Sequence, residues 1–152
     1  MTSQTTVPGP PLATIGYEAD PQPMVIEKLR RAGVEVLIDV RAVASSRRAG
    51  FSKSLLANSL GEAGIDYVHL RDLGTPKPGR DAARKGDVAE MRRIYEDHLE
   101  EPAAQLQLAR AVEIARSRKA ALLCYEAAAA GCHRAIVAER ICGELGCEVE
   151  DL

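Results

Sequence analysis

The chain has 152 residues, a length that suits one domain with a hydrophobic core of its own. Hydrophobic residues make up 46% of the sequence but aromatic residues only 3%, so the core must consist mainly of Ala, Val, Leu and Ile. The net charge of −2 argues against a surface coated in positive charge, and no apolar run approaches the length of a membrane span.

The first eleven residues are rich in Pro and Gly and are predicted to form an extended lead-in, with residues 12–152 forming a single α/β domain. The start of the chain has neither the basic segment nor the apolar segment of a signal peptide. We therefore expect a cytoplasmic protein with no membrane partner and with its four cysteines reduced. The sequence carries no indication of oligomeric state.

Apolar runs and helical periodicities alternate along the chain. Strands are predicted over residues 12–16, 34–40, 65–70 and 120–125, with residues 147–152 as a short edge strand. The first two helices are predicted from Asp20 as N-cap to Gly33 and from Ser52 or Ser54 to Gly64. Two more are predicted to begin at Asp87, which forms a capping box with Glu90, and at Pro102. The last helix is predicted after Cys132 and runs to Leu145, with Gly146 as C-cap. Residues 71–86 contain two glycines and two prolines before their final Gly86 and are predicted to be a long loop.

This alternation predicts the fold class. Strands that alternate with helices form a mostly parallel sheet with helices on both of its faces. We therefore expect an α/β fold in a single three-layer domain.

Polar residues recur at the carboxyl end of every predicted strand. They are Gly16 and Tyr17, Asp39 and Arg41, His69, and Glu126, and the last is followed by Cys132, His133 and Arg134 at a helix start. Because parallel strands end at one edge of the sheet, we expect a pocket there that holds Asp39, Arg41, His69, Glu126, His133 and Arg134. The alternative for Asp39 and Arg41 is a structural ion pair that supports the loop over residues 42–50, and the alternative for Cys124 is a core thiol.

The sequence also resembles a family of bacterial and archaeal proteins called domain of unknown function 488. The matching segments are Thr14-Ile15-Gly16-Tyr17, Asp39-Val40-Arg41, Ser46-Arg47 followed by Phe51, residues 64–70 with Leu73-Gly74, Cys124-Tyr125-Glu126 and Cys132-His133-Arg134. The resemblance implies an α/β domain and carries no settled activity. This chain has Ala44 where members often have Pro, and Ala128-Ala129 where they usually have Asp-Pro.

The first functional hypothesis is binding of a phosphate-containing ligand, a nucleotide or a nucleic acid, at the carboxyl edge of the sheet. Arg41, Arg47 and Arg134 would contact the anion, with Gly16, Tyr17 and His69 completing the binding site. Glu126, Asp39 and His133 would supply acid–base chemistry or hold a divalent cation, which describes an enzyme of hydrolase or phosphoryl-transfer type. The sequence contains no Walker motif.

Two alternatives stay open. One is a thiol-dependent enzyme that uses Cys132 or Cys124, because Cys132 lies at a helix start beside a histidine and an arginine, the setting that lowers the pKa of a thiol. The other is a non-catalytic module that binds nucleic acid through basic loops. The cysteine spacing contains no C-x-x-C pair, so the sequence gives a zinc site little support.

Overall fold

Strands and helices alternate in the computed structural model, which describes residues 10–126 and 129–152. The strands are β1 (Leu12–Gly16), β2 (Val36–Asp39), β3 (Asp66–His69), β4 (Ala120–Cys124) and β5 (Val149–Asp151). The helices are α1 (Gln22–Arg31), α2 (Lys53–Glu62), α3 (Lys77–Arg84), α4 (Val88–His98), α5 (Pro102–Ser117) and α6 (His133–Leu145), with 3₁₀ turns at Arg71–Leu73 and Ala129–Gly131. The predicted lead-in lies outside the described residues except for its last two positions.

The five strands form one sheet in which every pairing is parallel, in the order β3-β2-β4-β1-β5. The register sets Asp39 beside Leu123 on β4 and beside His69 on β3, and sets Gly16 beside Cys124. The polar strand ends predicted from the sequence therefore do meet at one edge of the sheet.

Two hydrophobic clusters lie on opposite faces of the sheet. Leu37, Ala121 and Leu123 face the cluster that contains side chains of α1 and α2. The neighbouring strand positions Ile38 and Leu122 face the second cluster, which contains side chains of α3, α4, α5 and α6. Successive strand residues point to opposite faces, and the fully buried strands β1, β2 and β4 are largely apolar, as strands covered on both faces usually are. The predicted three-layer α/β fold is confirmed.

Helix α3 corrects the prediction of a long loop over residues 71–86. Pro78 lies in the first turn of α3, where a proline costs no backbone hydrogen bond. Gly79 is buried, and a Cβ atom at this position would overlap the methyl group of Thr75 and contact Ile94 on α4. The glycine thus allows α3 to pack closely against its neighbours and does not break the helix.

Helix ends follow the sequence signals at most positions. Asp87 caps α4 as predicted, with its Oδ1 accepting a hydrogen bond from the Glu90 amide at 3.2 Å. Gly146 ends α6 in the left-handed conformation, also as predicted. At α1 the N-cap is Pro21 and not Asp20, whose carboxylate instead pairs with Lys28 at 2.6 Å. Among the described residues, no helix combines the length and the apolar character needed to cross a membrane.

Candidate functional site

The polar residues at the carboxyl edge separate into two clusters. The arginine–aspartate cluster consists of Tyr17, Asp39, Arg41 and Tyr67, and the cysteine–histidine cluster consists of Cys124, Cys132 and His133. Tyr17 packs in the hydrophobic cluster on the side of α1 and α2, whereas Cys124 and Cys132 pack on the side of α3 to α6. The side chains of the two clusters thus pack on opposite faces of the sheet.

The arginine–aspartate cluster is centred on a buried ion pair. The Nε and Nη2 groups of Arg41 both donate to the Asp39 carboxylate, at 2.7 to 3.0 Å. The Tyr67 hydroxyl donates to the same carboxylate at 2.5 Å. Arg41 Nη1 donates to the Tyr17 hydroxyl and to the Phe51 carbonyl oxygen, at 3.1 and 2.8 Å. The ion pair that the sequence left open as an alternative is therefore present, and it supports the loop that ends at Phe51.

The electrostatics of this cluster raise the pKa values of two of its members, Arg41 and Tyr67. Burial opposes the charge on Arg41, but hydrogen bonds and attraction from Asp39 raise the Arg41 pKa above its usual value. Burial and the negative charge of Asp39 raise the pKa of Tyr67 as well. At neutral pH Arg41 therefore stays charged, and the Tyr67 phenol stays neutral and donates to Asp39.

Gly16 and His69 each lie close to a backbone carbonyl group at this edge of the sheet. A Cβ atom on Gly16 would overlap the Glu126 carbonyl oxygen and come within 2.9 Å of Arg134 Nη1, so only glycine lets β1 approach this segment so closely. His69 Nε2 lies 2.8 Å from the Arg41 carbonyl oxygen. Both residues fix the backbone around the two clusters.

The cysteines differ from the expectation of four reduced thiols. The structure joins Cys124 to Cys132 and Cys142 to Cys147 by disulfide bonds, and it describes no free cysteine between residues 10 and 126 or 129 and 152. The spacing of the cysteines did not indicate this pairing. Cys124 ends β4 and Cys132 is the N-cap residue of α6, so the two bonded sulfurs lie at the start of a helix.

His133 completes the cysteine–histidine cluster. Its Nε2 lies 2.6 Å from the Val40 carbonyl oxygen, and its Nδ1 lies 3.6 Å from Cys132 Sγ. The imidazole ring packs edge-on against the ring of Tyr95, with 5.1 Å between the ring centres. Burial lowers the pKa of His133 to about 4, so the ring is neutral at physiological pH.

Arg134 lies behind this cluster with its side chain buried. Its Nη1 group donates to Cys124 Sγ at 3.1 Å and to the Glu126 carbonyl oxygen. Burial lowers the Arg134 pKa, and the carboxylates of Asp151 and Glu126 oppose that change. Burial also raises the pKa of the Glu126 carboxyl group. Arg134 therefore contacts the cysteine–histidine cluster from the buried side and does not line the cavity.

A cavity of about 630 Å³ opens at this edge of the sheet. Its lining includes Cys124 and His133 of the cysteine–histidine cluster, Tyr17 and Arg41 of the arginine–aspartate cluster, and Glu126. Helix α3 contributes Arg80 and Arg84, and the remaining lining residues are Glu18, Ala42, Val43, Thr75, Ala83, Met91 and Tyr125. A volume of this size suits a small-molecule ligand.

The predicted site residues divide into those that line the cavity and those that do not. Tyr17, Arg41, Glu126 and His133 line it. The others are buried behind it or lie elsewhere: Gly16, Asp39, Arg47, His69, Cys132 and Arg134. Arg47 is exposed on the loop that precedes α2. Arg80 and Arg84 were not predicted to line this pocket; residues 77–85 were predicted only as a basic loop that contacts nucleic acid, although the six basic residues between positions 77 and 93 were a usable signal.

The fold and this edge define an α/β protein with a cavity beyond the carboxyl ends of its parallel strands, the usual ligand position in such sheets. The chain belongs to the family described as Domain of unknown function DUF488, whose sequence model matches residues 23–141. No curated protein and no solved structure matches the chain.

Proposed function

We propose that the protein binds a small phosphate-bearing molecule in the cavity at the carboxyl edge, with Arg80 as the main contact to the anion. Arg80 lines the cavity and is half-buried. Its Nη1 donates to the Thr75 carbonyl oxygen at 2.9 Å, which holds the guanidinium in place. Among the described residues, no carboxylate forms an ion pair with Arg80. This held, uncompensated cation is the observation on which the proposal depends.

The other arginines near the cavity have protein partners. Arg41 is neutralised by Asp39, and Arg134 donates to Cys124 and to the Glu126 carbonyl. Arg84 pairs with Asp81 at 3.1 Å, but the side chain of Arg84 is 73% exposed, so the pair is weak and a ligand can compete with it. We therefore assign Arg80 the larger contribution to binding and Arg84 a smaller one.

The lining gives the ligand a second contact besides the anion. Glu126 also lines the cavity, and burial raises the pKa of its carboxyl group, so it keeps its proton to a higher pH than an ordinary glutamate does. A phosphate ester bound by Arg80 therefore shares the cavity with a carboxyl group that can donate a proton to its bridging oxygen. That arrangement supports hydrolysis as the reaction class, and binding is the part tested first.

Isothermal titration calorimetry with inorganic phosphate, sulfate and nucleoside monophosphates tests the proposal on the full chain. We expect Arg80→Ala to weaken binding at least about 10-fold, since an arginine bound to a charged acceptor contributes about 1.5 to 3 kcal/mol. Arg84→Ala should weaken binding less. Arg110→Ala is the matched control, because Arg110 is exposed on α5 and does not line the cavity. Equal affinity in wild type and Arg80→Ala would contradict the proposal.

A nucleic acid ligand is separated from a small molecule by the same variants. Nucleic acid binding through the exposed Arg47 would fall steeply with salt and would be weakened by Arg47→Ala. A small ligand in the cavity should be insensitive to that change. Thiol-dependent catalysis by Cys132 or Cys124 stays a prediction, and in this structure it requires the disulfide between them to be reduced first.

A further inference from the structure

We propose that the reduced protein binds a zinc ion through Cys124, Cys132 and His133. The sulfur atoms of the two cysteines and one ring nitrogen of the histidine all lie within 4.8 Å of one another. Each of the three side chains is more than nine-tenths buried, with exposures of 2%, 1% and 8%. Two thiolates and one imidazole form a ligand set that zinc prefers over magnesium or calcium.

The orientation of His133 points to a metal ligand. A carbonyl oxygen can only accept a hydrogen bond, so the 2.6 Å contact with Val40 requires the hydrogen to be on Nε2. The neutral ring then keeps a lone pair on Nδ1, and this atom faces Cys132 Sγ. Histidines that bind metals usually donate their other ring N–H to a backbone carbonyl or a carboxylate in the same way.

The distance between sulfur and nitrogen fits a shared ion. Zinc binds sulfur at about 2.3 Å and nitrogen at about 2.0 Å, so two such ligands at a tetrahedral angle lie about 3.5 Å apart. Cys132 Sγ and His133 Nδ1 are 3.6 Å apart. The Cα atoms of the two cysteines are 7.5 Å apart, which leaves room for an ion between their sulfurs once the bond that joins them is opened.

The surroundings of the cluster favour thiolates and leave one coordination position towards the cavity. Arg134 Nη1 donates to Cys124 Sγ at 3.1 Å, and a cationic donor beside a sulfur stabilises its deprotonated form. Cys124 and His133 both line the cavity. Three protein ligands with a fourth position open to a cavity is the arrangement of catalytic zinc sites.

Metal binding requires reduction of the disulfide. A dithiol reductant supplies two electrons and two protons to the bond between Cys124 and Cys132, which becomes two thiols while the reductant forms its own disulfide. Zinc then forms two bonds to sulfur and one to Nδ1, and the two thiol protons pass to solvent. The site therefore exists in an oxidised form without metal and in a reduced form that binds it.

Cobalt titration of the full chain tests this inference, because Co²⁺ bound to thiolates gives a charge-transfer band and tetrahedral Co²⁺ gives visible d–d absorption. The chain is reduced with a phosphine, desalted without oxygen and titrated with Co²⁺, and zinc is then added to displace the cobalt. We expect both absorptions at one metal ion per chain. Cys132→Ser and His133→Gln should weaken binding by more than the about 10- to 100-fold that loss of an outer-shell partner costs.

Two controls keep the result interpretable. The double variant Cys142→Ser/Cys147→Ser removes the second cysteine pair and should bind cobalt like wild type. Oxidised wild-type protein has the same sequence and should show no thiolate band, which provides a comparison even if a substituted chain fails to fold. Arg80→Ala should also keep the cobalt spectrum, so failure of the zinc site and failure of the anion site can be distinguished.

The inference is overturned if reduced wild-type protein shows no thiolate-to-cobalt band, if the band persists unchanged in Cys132→Ser, or if it is lost in the double variant. Alkylation with iodoacetamide adds a further outcome. Absence of cobalt binding together with faster labelling of Cys132 than of Cys124 would replace the metal site with a reactive thiol.

Discussion

The arginine–aspartate cluster and the cysteine–histidine cluster lie at the same edge of the sheet, but their polar atoms are used differently. In the first, the Asp39 carboxylate accepts from Arg41 and Tyr67, and Arg41 also donates to Tyr17 and Phe51. In the second, one nitrogen of His133 is fixed by a backbone carbonyl while the other keeps its lone pair beside two sulfurs. Histidine, cysteine, arginine and aspartate therefore indicate a binding site only where the fold leaves one of their donor or acceptor atoms without a protein partner that fully occupies it.

Among substitutions that test this difference between the two clusters, Asp39→Asn should cause the largest loss of stability. The change leaves the buried guanidinium of Arg41 without its counter-charge, which costs about 3 to 5 kcal/mol of unfolding free energy. Chemical denaturation measures the loss. Cobalt binding by the reduced variant, at a temperature where it stays folded, should match wild type. A variant that keeps wild-type stability would show that the ion pair is not needed by the fold.

The next effect should come from Gly16→Ala, which acts beside the cysteine–histidine cluster. The new methyl group overlaps the Glu126 carbonyl oxygen, and relief of that overlap displaces the segment that Arg134 contacts. We expect a loss of about 3 kcal/mol in unfolding free energy, the upper part of the range for overpacking, and weaker cobalt binding.

Gly61→Ala is the matched control for that change. Gly61 lies in α2 and a Cβ atom there has no neighbour within 4 Å, so the substitution should stabilise the protein by about 1 kcal/mol. Similar stability changes in the two alanine variants would argue against a close approach at Gly16.

Tyr67→Phe should have a smaller effect that stays within the arginine–aspartate cluster. It removes one donor from the Asp39 carboxylate, and a hydrogen bond to a charged group contributes about 1.5 to 3 kcal/mol. We expect a loss near the lower end, about 1.5 kcal/mol, because Tyr67 is only half-buried and water can replace the hydroxyl. Urea denaturation measures it, and an effect as large as that of Asp39→Asn would mean that Tyr67 has a further role.

The smallest effect should come from Asp66→Asn. Asp66 pairs with Arg118 at 2.9 Å, but its side chain is 68% exposed and solvent screens the interaction. We expect no measurable change in melting temperature and an unchanged cobalt spectrum. A clear loss of stability would show that exposure is a poor guide to which ion pairs matter in this protein.

Local patterns predicted the strands, the parallel sheet and most helix ends, because each depends on residues close together in the sequence. Helix α3 was missed because Pro78 and Gly79 resemble a loop signal, whereas in the fold the proline lies in the first turn and the glycine faces Thr75. The signal was present in the helix-forming residues that follow, Ala82 to Arg84.

The candidate site could be predicted only in part. The shared edge of the strand ends followed from parallel pairing, and Arg41, Glu126 and His133 do line the cavity. The division of the residues between two faces depends on the direction of each side chain at the strand ends. The pairing of Cys124 with Cys132 depends on the positions of the end of β4 and the start of α6, and sequence spacing does not determine that geometry.

The hydrogen bond from His133 to the Val40 carbonyl has a consequence for sequence variation. Since the acceptor belongs to the main chain, any residue that keeps the backbone path at position 40 presents the same oxygen, and the tautomer of His133 is inherited with the fold. Asp39, by contrast, accepts hydrogen bonds through its side-chain carboxylate, so a substitution at position 39 changes the acceptor itself. Position 40 can therefore vary among apolar residues while the donor atom of His133 stays the same, and ¹⁵N NMR of the ring in Val40→Ile would detect an unchanged Nε2–H.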